Sequence, residues 1–370
     1  MFNKITALVA FLLLVPSVSS AQTLNNAQDS GDRIFKAKVI EIIEEKTTQR
    51  ADGSKITQQN ILLKGLEGEW QNKDYQYFGI SDISDPSVNT YKVGDKVMVS
   101  EIKNVDGSLD YYIVDLVRTG YLFWLALIFI SVVLIIGKKK GAKSLIGLVL
   151  SFVVIIKFIL PKIISGSSPL VVGVLGALAI LAIIIYLTDG WSRKSHVAVA
   201  SVFCTLVITF VLSWVFTRLT RLTGLAEEEA IFLLGSNNVM VDFRGLLLTG
   251  ILIGTVGVLD DVIVGQVETV RQIKKANPNL SNREVYKSAY EVGSSHLGAI
   301  VNTLFLTYTG ASLPLLILFY LNPTGSISFS QFINNELIAT EVVRTLVGSI
   351  GIALAMPIST SLAAVWMKEK

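Results

Sequence analysis

The apolar residues of this chain follow two regimes, and the change comes near residue 117. Before it, apolar and polar residues alternate. Phe35, Ala37 and Val39 are separated by Lys36 and Lys38, and Tyr91, Val93, Val97 and Val99 repeat the pattern around a Gly94-Asp95 turn. Period-two alternation bounded by turn residues predicts half-buried strands. Asp52-Gly53 and Asp106-Gly107 are hairpin-type dipeptides. Residues 33–117 are therefore expected to form a β-rich domain, a small barrel or sandwich of about five or six strands. Trp70, Tyr75, Tyr77, Phe78, Tyr111 and Tyr112 are expected to fill its core. After residue 117, continuous apolar runs replace the alternation. Segments 121–136, 144–160, 170–187, 197–216, 245–264, 296–321 and 342–366 each suit a membrane span. Pro161 is expected to stop the second, and Pro357, after Gly348 and Gly351, to kink the seventh. The expected fold class is a mainly α membrane protein: a polytopic bundle of about seven transmembrane helices over residues 121–367, preceded by the β domain.

The first 21 residues read differently. Lys4 supplies a positive start, residues 5–15 an apolar stretch, and Ser19 and Ala21 the small residues before a cut at Gln22. That is the pattern of an export signal. Residues 22–32 then read as a polar linker. A cleaved signal would place the β domain outside the cell. The basic clusters Lys138, Lys139, Lys140 and Lys143; Arg193 and Lys194; Arg271, Lys274, Lys275, Arg283 and Lys287; and Lys368 and Lys370 follow spans one, three, five and seven. Positive residues stay on the cytoplasmic side. Both signals give an extracytoplasmic N-terminal domain and a cytoplasmic C-terminus in an inner or plasma membrane.

Composition narrows the chemistry. The chain is 51% hydrophobic and 16% charged, against roughly 25% charged in soluble domains. A net charge of +3 is too small to point to nucleic acid. The single cysteine, Cys204, excludes an intrachain disulfide and a thiolate metal site. His196 and His296 lie too far apart for ligand spacing. No metal, no cofactor and no enzymatic activity are expected. The lipid bilayer is the one partner the composition names.

The fifth apolar segment carries the unusual residues. Gly250, Gly254, Gly257, Asp261, Gly265 and Glu268 follow one another at steps of three or four, so they share one helical face. Small residues allow close helix approach, so this face is expected to look into the bundle and carry Asp261 with it. Asp260 stands about 100° round the helix. An Asp in mid-span costs about 2.5–3.5 kcal/mol, and repulsion disfavours two charges side by side. Such a pair suits proton exchange. In the sixth segment Ser295 and Asn302 share a face, and Asn302 is expected to hydrogen-bond a carboxylate of the fifth. Lys157 is expected to snorkel, and Asp189 to be a turn residue.

On residues 147–169, 245–268, 298–314 and 341–357 the membrane part resembles the YibE/F family of bacterial membrane proteins, whose layout also has a β domain before the spans. A narrower stretch is similar to the fourth and fifth helices of resistance-nodulation-division exporters and of SecD/SecF. It comprises residues 260–268, Asn282-Arg283-Glu284, Tyr290-Glu291-Val292-Gly293 and Leu313-Pro314. That resemblance implies a proton path through Asp260 and Asp261 and a six-helix unit that a homodimer would complete. The expected function is a proton-coupled transporter, permease or translocation accessory for an unknown substrate, with Asp260 and Asp261 central and Glu268, Asn302 and Ser295 supporting. Two other classes compete. One is an intramembrane aspartyl protease using Asp189 and Asp260. The other is a non-transporting anchor or receptor for the β domain.

Overall fold

A computed structural model describes residues 33–49, 55–80, 90–104, 107–235, 241–321 and 328–367. The expected export signal and linker, the Asp52-Gly53 turn, Asp106 and the terminal lysines lie outside these residues. The chain divides into two compact units, residues 1–132 and 133–370.

The first unit is built on one antiparallel sheet. Its strands are β1 (Arg33–Gln49), β2 (Lys55–Gly65), β3 (Asp74–Phe78), β4 (Lys96–Lys103) and β5 (Leu109–Leu116), in the order β3-β2-β1-β4-β5. β1 serves two partners. Arg33–Lys38 pairs with β4, and Ala37 onward pairs with β2 through register shifts at Val39/Glu41 and Ile42/Glu44. Such irregularities bend a strand, and the edge strands β3 and β5 approach each other. The result is a half-barrel of five strands. Phe35, Ala37, Val39, Ile61, Leu63, Val97 and Val99 are fully buried inside it. Trp70 stacks on Phe35 at 4.6 Å and donates from Nε1 to Glu101 Oε2 at 2.9 Å. Gly65 is required here, because a Cβ would collide with the Trp70 carbonyl.

Three core expectations are corrected. Tyr75, Tyr77 and Tyr111 pack on the core, but Tyr112 and Phe78 are 47% and 67% exposed. Each directly follows an inward tyrosine, and neighbouring side chains on a strand point to opposite faces. Val93 is exposed as well, because it lies in the turn before Gly94, whose φ is +100°.

The helices are α1 (Thr119–Val154), α2 (Leu160–Ile164), α3 (Pro169–Asp189), α4 (Arg193–Leu219), α5 (Glu228–Gly235), α6 (Phe243–Ala276), α7 (Asn282–Ala311), α8 (Leu313–Leu321), α9 (Phe329–Ile333) and α10 (Glu336–Trp366). Among the described residues, five stretches are long and apolar enough to cross a membrane: Thr119–Ile164, α3, α4, α6 and α10. A sixth arises if α7 and α8, bent by 62° at their junction, form one span. Thr119–Ile164 holds both of the first two expected spans. Its 46 residues would reach roughly 70 Å as one straight helix, but Lys138 breaks it with φ +48° and ψ −127°. Pro161 does not stop the second segment. A π-helical turn, Ile155–Ile159, precedes it, and helix continues to Ile164. The wider turn accommodates the missing Pro N–H.

Within the second unit α6 is central and packs against α3, α4, α7 and α10. Leu252, Leu259, Ile263, Val267 and Val270 form its buried stripe. The α4–α10 contact is made by small and hydroxylated side chains. Ser201, Thr205, Thr209, Ser213 and Thr217 are fully buried at every fourth position of α4, and Thr209 fills the space a Cβ on Gly351 would need. Such residues let membrane helices approach closely.

Candidate functional site

The buried stripe of α6 fixes where its charged residues go. With Leu259 and Ile263 turned into the bundle, Asp260 is half-buried and Asp261 is exposed. Asp260 Oδ1 is shut from solvent and meets no hydrogen-bond donor among the described residues. The charges within electrostatic reach of Asp260 are Asp261, Asp189 and Lys194.

The next turns of α6 complete a charged network. Lys194, at the start of α4, donates from Nζ to Asp189 Oδ1 at 2.9 Å and lies 3.1 Å from Glu268 Oε2. Lys194 and Asp189 are both largely covered, at 15% and 16% side-chain exposure. Glu268 also accepts from Arg271 through both carboxylate oxygens, at 3.0 and 2.6 Å, and from Gln272 at 2.6 Å. Three helices therefore meet on one ammonium group: α3 through Asp189, α4 through Lys194 itself, and α6 through Glu268. Asp189 is thus an ion-pair partner and not a mere turn residue. The pairing was readable in principle. Asp189 and Lys194 flank a tight helix–helix turn at Gly190, whose φ is +76°, and residues on either side of such a turn face each other.

The small-residue face is corrected. Gly250, Gly254, Gly257, Asp261 and Gly265 are exposed, and a Cβ on Gly250, Gly257 or Gly265 would meet nothing within 4 Å. Only Gly254 has a close neighbour, the Tyr308 hydroxyl of α7. Larger apolar side chains claim the interior, so the glycines are left outward. Asn302 and Ser295 are corrected with them. Both are exposed, Ser295 bonds its own helix at Val292 O, and Asn302 has no side-chain partner among the described residues. The α6–α7 contact is made instead by Gln266, which donates to Ala289 O at 2.6 Å beside Gly293. Lys274, buried on the same helix, donates to Asn282 and to the Ala364 and Met367 carbonyls at the end of α10. A cation there satisfies last-turn carbonyls and opposes the helix dipole. Among the described residues no group of three His, Cys, Asp or Glu side chains could hold a metal ion.

Comparison with known proteins returns one family. No curated protein and no solved structure matches the chain, so the narrower likeness to the exporters has no counterpart there. The family model for YibE/F-like proteins matches residues 125–369, the span of helices that builds the Asp260–Lys194–Glu268 network. Long apolar helices and that match fit an integral membrane protein, and the chain belongs to the YibE/F-like family.

Proposed function

We propose that this protein is a proton-coupled transporter or translocation accessory of a bacterial plasma membrane. One observation carries the reading. Asp260 Oδ1 is buried without a donor among the described residues, beside a second aspartate and within electrostatic reach of a lysine already shared between two other carboxylates. A buried charge without partners is costly, so the occupancy of Asp260 by a proton and the position of Lys194 are linked. With Asp260 neutral, Lys194 stays on Asp189 and Glu268. When Asp260 loses its proton, the ammonium is drawn toward it, and the α3–α4–α6 contact shifts. The sheet domain would present or gate the substrate on the outer side.

Topology follows the same reading. Dividing Thr119–Ile164 at Lys138 and counting α7–α8 as one bent span gives seven crossings, with the sheet outside and the C-terminus inside. The open α6 face suits a second copy of the chain. An Asp left against lipid costs about 2.5–3.5 kcal/mol, and a partner helix along Gly250, Gly257 and Gly265 would cover Asp261.

The test is proton flux in proteoliposomes carrying Asp260→Asn or Lys194→Gln. Flux should fall to the background of empty liposomes in the first and drop severely in the second. Wild-type flux in both would remove the proposal.

A further inference from the structure

A second charge cluster lies where α10 begins. Met367, at the far end of that helix, borders the Lys194 network, so the two clusters stand at opposite ends of the bundle. Arg344 donates from Nη1 to Glu341 Oε1 at 2.6 Å and from Nη2 to Glu227 Oε1 at 3.2 Å. Glu227 precedes α5 and is exposed, whereas the side chains of Arg344 and Glu341 are only 21% and 20% exposed. Ser312, at the end of α7, adds a side-chain hydrogen bond to Glu341, and Tyr308 of α7 lies within electrostatic reach of both Glu341 and Arg344. Glu336, the next carboxylate of α10, is taken up by Thr223 N and Oγ1. One guanidinium therefore serves two carboxylates, and the cluster holds one negative charge in excess. Arg344 Nε is shut from solvent without an acceptor among the described residues, so it adds no third anchor to the guanidinium.

A covered carboxylate that must share its cation is relieved by a proton. With Glu341 protonated, Arg344 keeps Glu227 and the cluster is neutral. Once the proton leaves, the guanidinium is shared again. Glu341 lines a cavity of 400 Å³ with Tyr308, Thr309, Ser312 and Thr345, between α7, α8, α9 and α10. Among the described residues none of α6 lines that cavity, so a second copy along Gly250, Gly257 and Gly265 leaves it open. On its inner side the Tyr308 hydroxyl lies against Gly254 of α6. Asp260 follows six residues later, about 9 Å along a helix. We infer that Glu341 is the outer proton-exchange site of this protein, positioned and balanced in charge by Arg344. Hydronium in the cavity gives its proton to a Glu341 carboxylate oxygen. The proton then passes on the Tyr308 side to the Asp260 carboxylate when that is empty, with water bridging the remaining distance. Only O–H bonds form and break. The inference rests on the proton-coupled reading and adds a point of entry to it.

The experiment takes two readouts from the full-length protein in proteoliposomes. The first is modification by dicyclohexylcarbodiimide, which reacts with protonated carboxyl groups in apolar surroundings, with the site located by peptide mass spectrometry. Glu341 of the wild-type protein should be modified, and less so at alkaline pH. Arg344→Gln removes the competing cation and should increase the modification, while Asp260→Asn should leave it in place. The second readout is proton flux. Glu341→Gln should lower it by about tenfold or more, whereas Glu291→Gln, which alters an exposed carboxylate of α7 outside the cluster, should not change it. The first readout needs no variant at Glu341, so it decides the matter even if Glu341→Gln folds poorly. A Glu341 that stays unmodified, or wild-type flux in Glu341→Gln, overturns this inference and leaves Asp260 untouched. Absence of flux in the wild-type protein overturns the proton-coupled reading itself, and this inference with it.

Discussion

At Lys194 a single side chain holds three helices, through Asp189 and Glu268. Truncating one member of a covered charge cluster leaves the others uncompensated, a cost of about 3–5 kcal/mol for fully buried pairs and less where water reaches. Lys194→Met should therefore lower the thermal midpoint of the purified protein by more than Lys287→Met, an exposed control, does. In the sheet domain the cluster of Tyr75, Tyr111 and Glu101 sets an alkaline limit. Burial first, then Tyr111 and Glu101, pushes the Tyr75 phenol above its ordinary range, and burial and Glu101 do the same for Tyr111. A folded-state value above the unfolded one contributes stability that is complete below the unfolded value, near pH 10, and is lost as pH rises through the folded one. Trp70 fluorescence should report loss of the sheet above about pH 10, and Tyr75→Phe/Tyr111→Phe should make that loss shallower. An unchanged alkaline transition would mean the tyrosines do not govern it. Phe35→Ala, which deletes a ring fully buried against Trp70, should cost about 3–5 kcal/mol in urea unfolding.

Two glycine-bearing helices make opposite predictions. Gly351 of α10 has Thr209 of α4 in the space of its Cβ, whereas Gly257 of α6 has nothing within 4 Å. Overpacking a close helix contact costs about 1–3 kcal/mol. Gly351→Val should lower the detergent-solubilised thermal midpoint clearly, while Gly257→Val should leave the midpoint of one chain unchanged. If a second copy covers α6, Gly257→Val should instead shift the oligomer to monomer in size-exclusion chromatography with light scattering. A protein that is monomeric before and after the substitution would refute the dimer. The hydroxyl series on α4, at every fourth residue from Ser201 to Thr217, marks its packed face as plainly as an apolar stripe marks that of α6.

For the whole molecule the decisive matter is which side each part occupies. The loop between α6 and α7 carries an exposed Asn279, and the turn before β3 an exposed Lys73. Ser281 is the less suitable probe, because it caps α7 reciprocally with Glu284. In a Cys204→Ser background, Lys73→Cys should react with a membrane-impermeant thiol reagent in intact cells, and Asn279→Cys only after permeabilisation. Labelling of Asn279→Cys in intact cells would remove one crossing from the proposed seven.

Local periodicity located most of the elements but not their breaks and ends. Alternation at Phe35, Ala37 and Val39 placed an inward strand, and long apolar runs located α3 and α4 within a few residues, whereas α6 runs on to Ala276 and α10 begins at Glu336, beyond the apolar segments 245–264 and 342–366. The pattern of the α6 face, Gly250 through Glu268, was also visible. Its direction was not, because a helix with a large apolar side and a small polar side can turn either one inward. Only the packing of α3, α4 and α10 around Leu259 and Ile263 decides that the glycines and Asp261 face out. The meeting of Asp189, Lys194 and Glu268 is of the same kind: residues up to 79 positions apart become neighbours when three helix ends converge. Periodicity reports what one element prefers to bury, whereas partner choice depends on shapes supplied by distant segments, so the charged centre exists only in the tertiary structure.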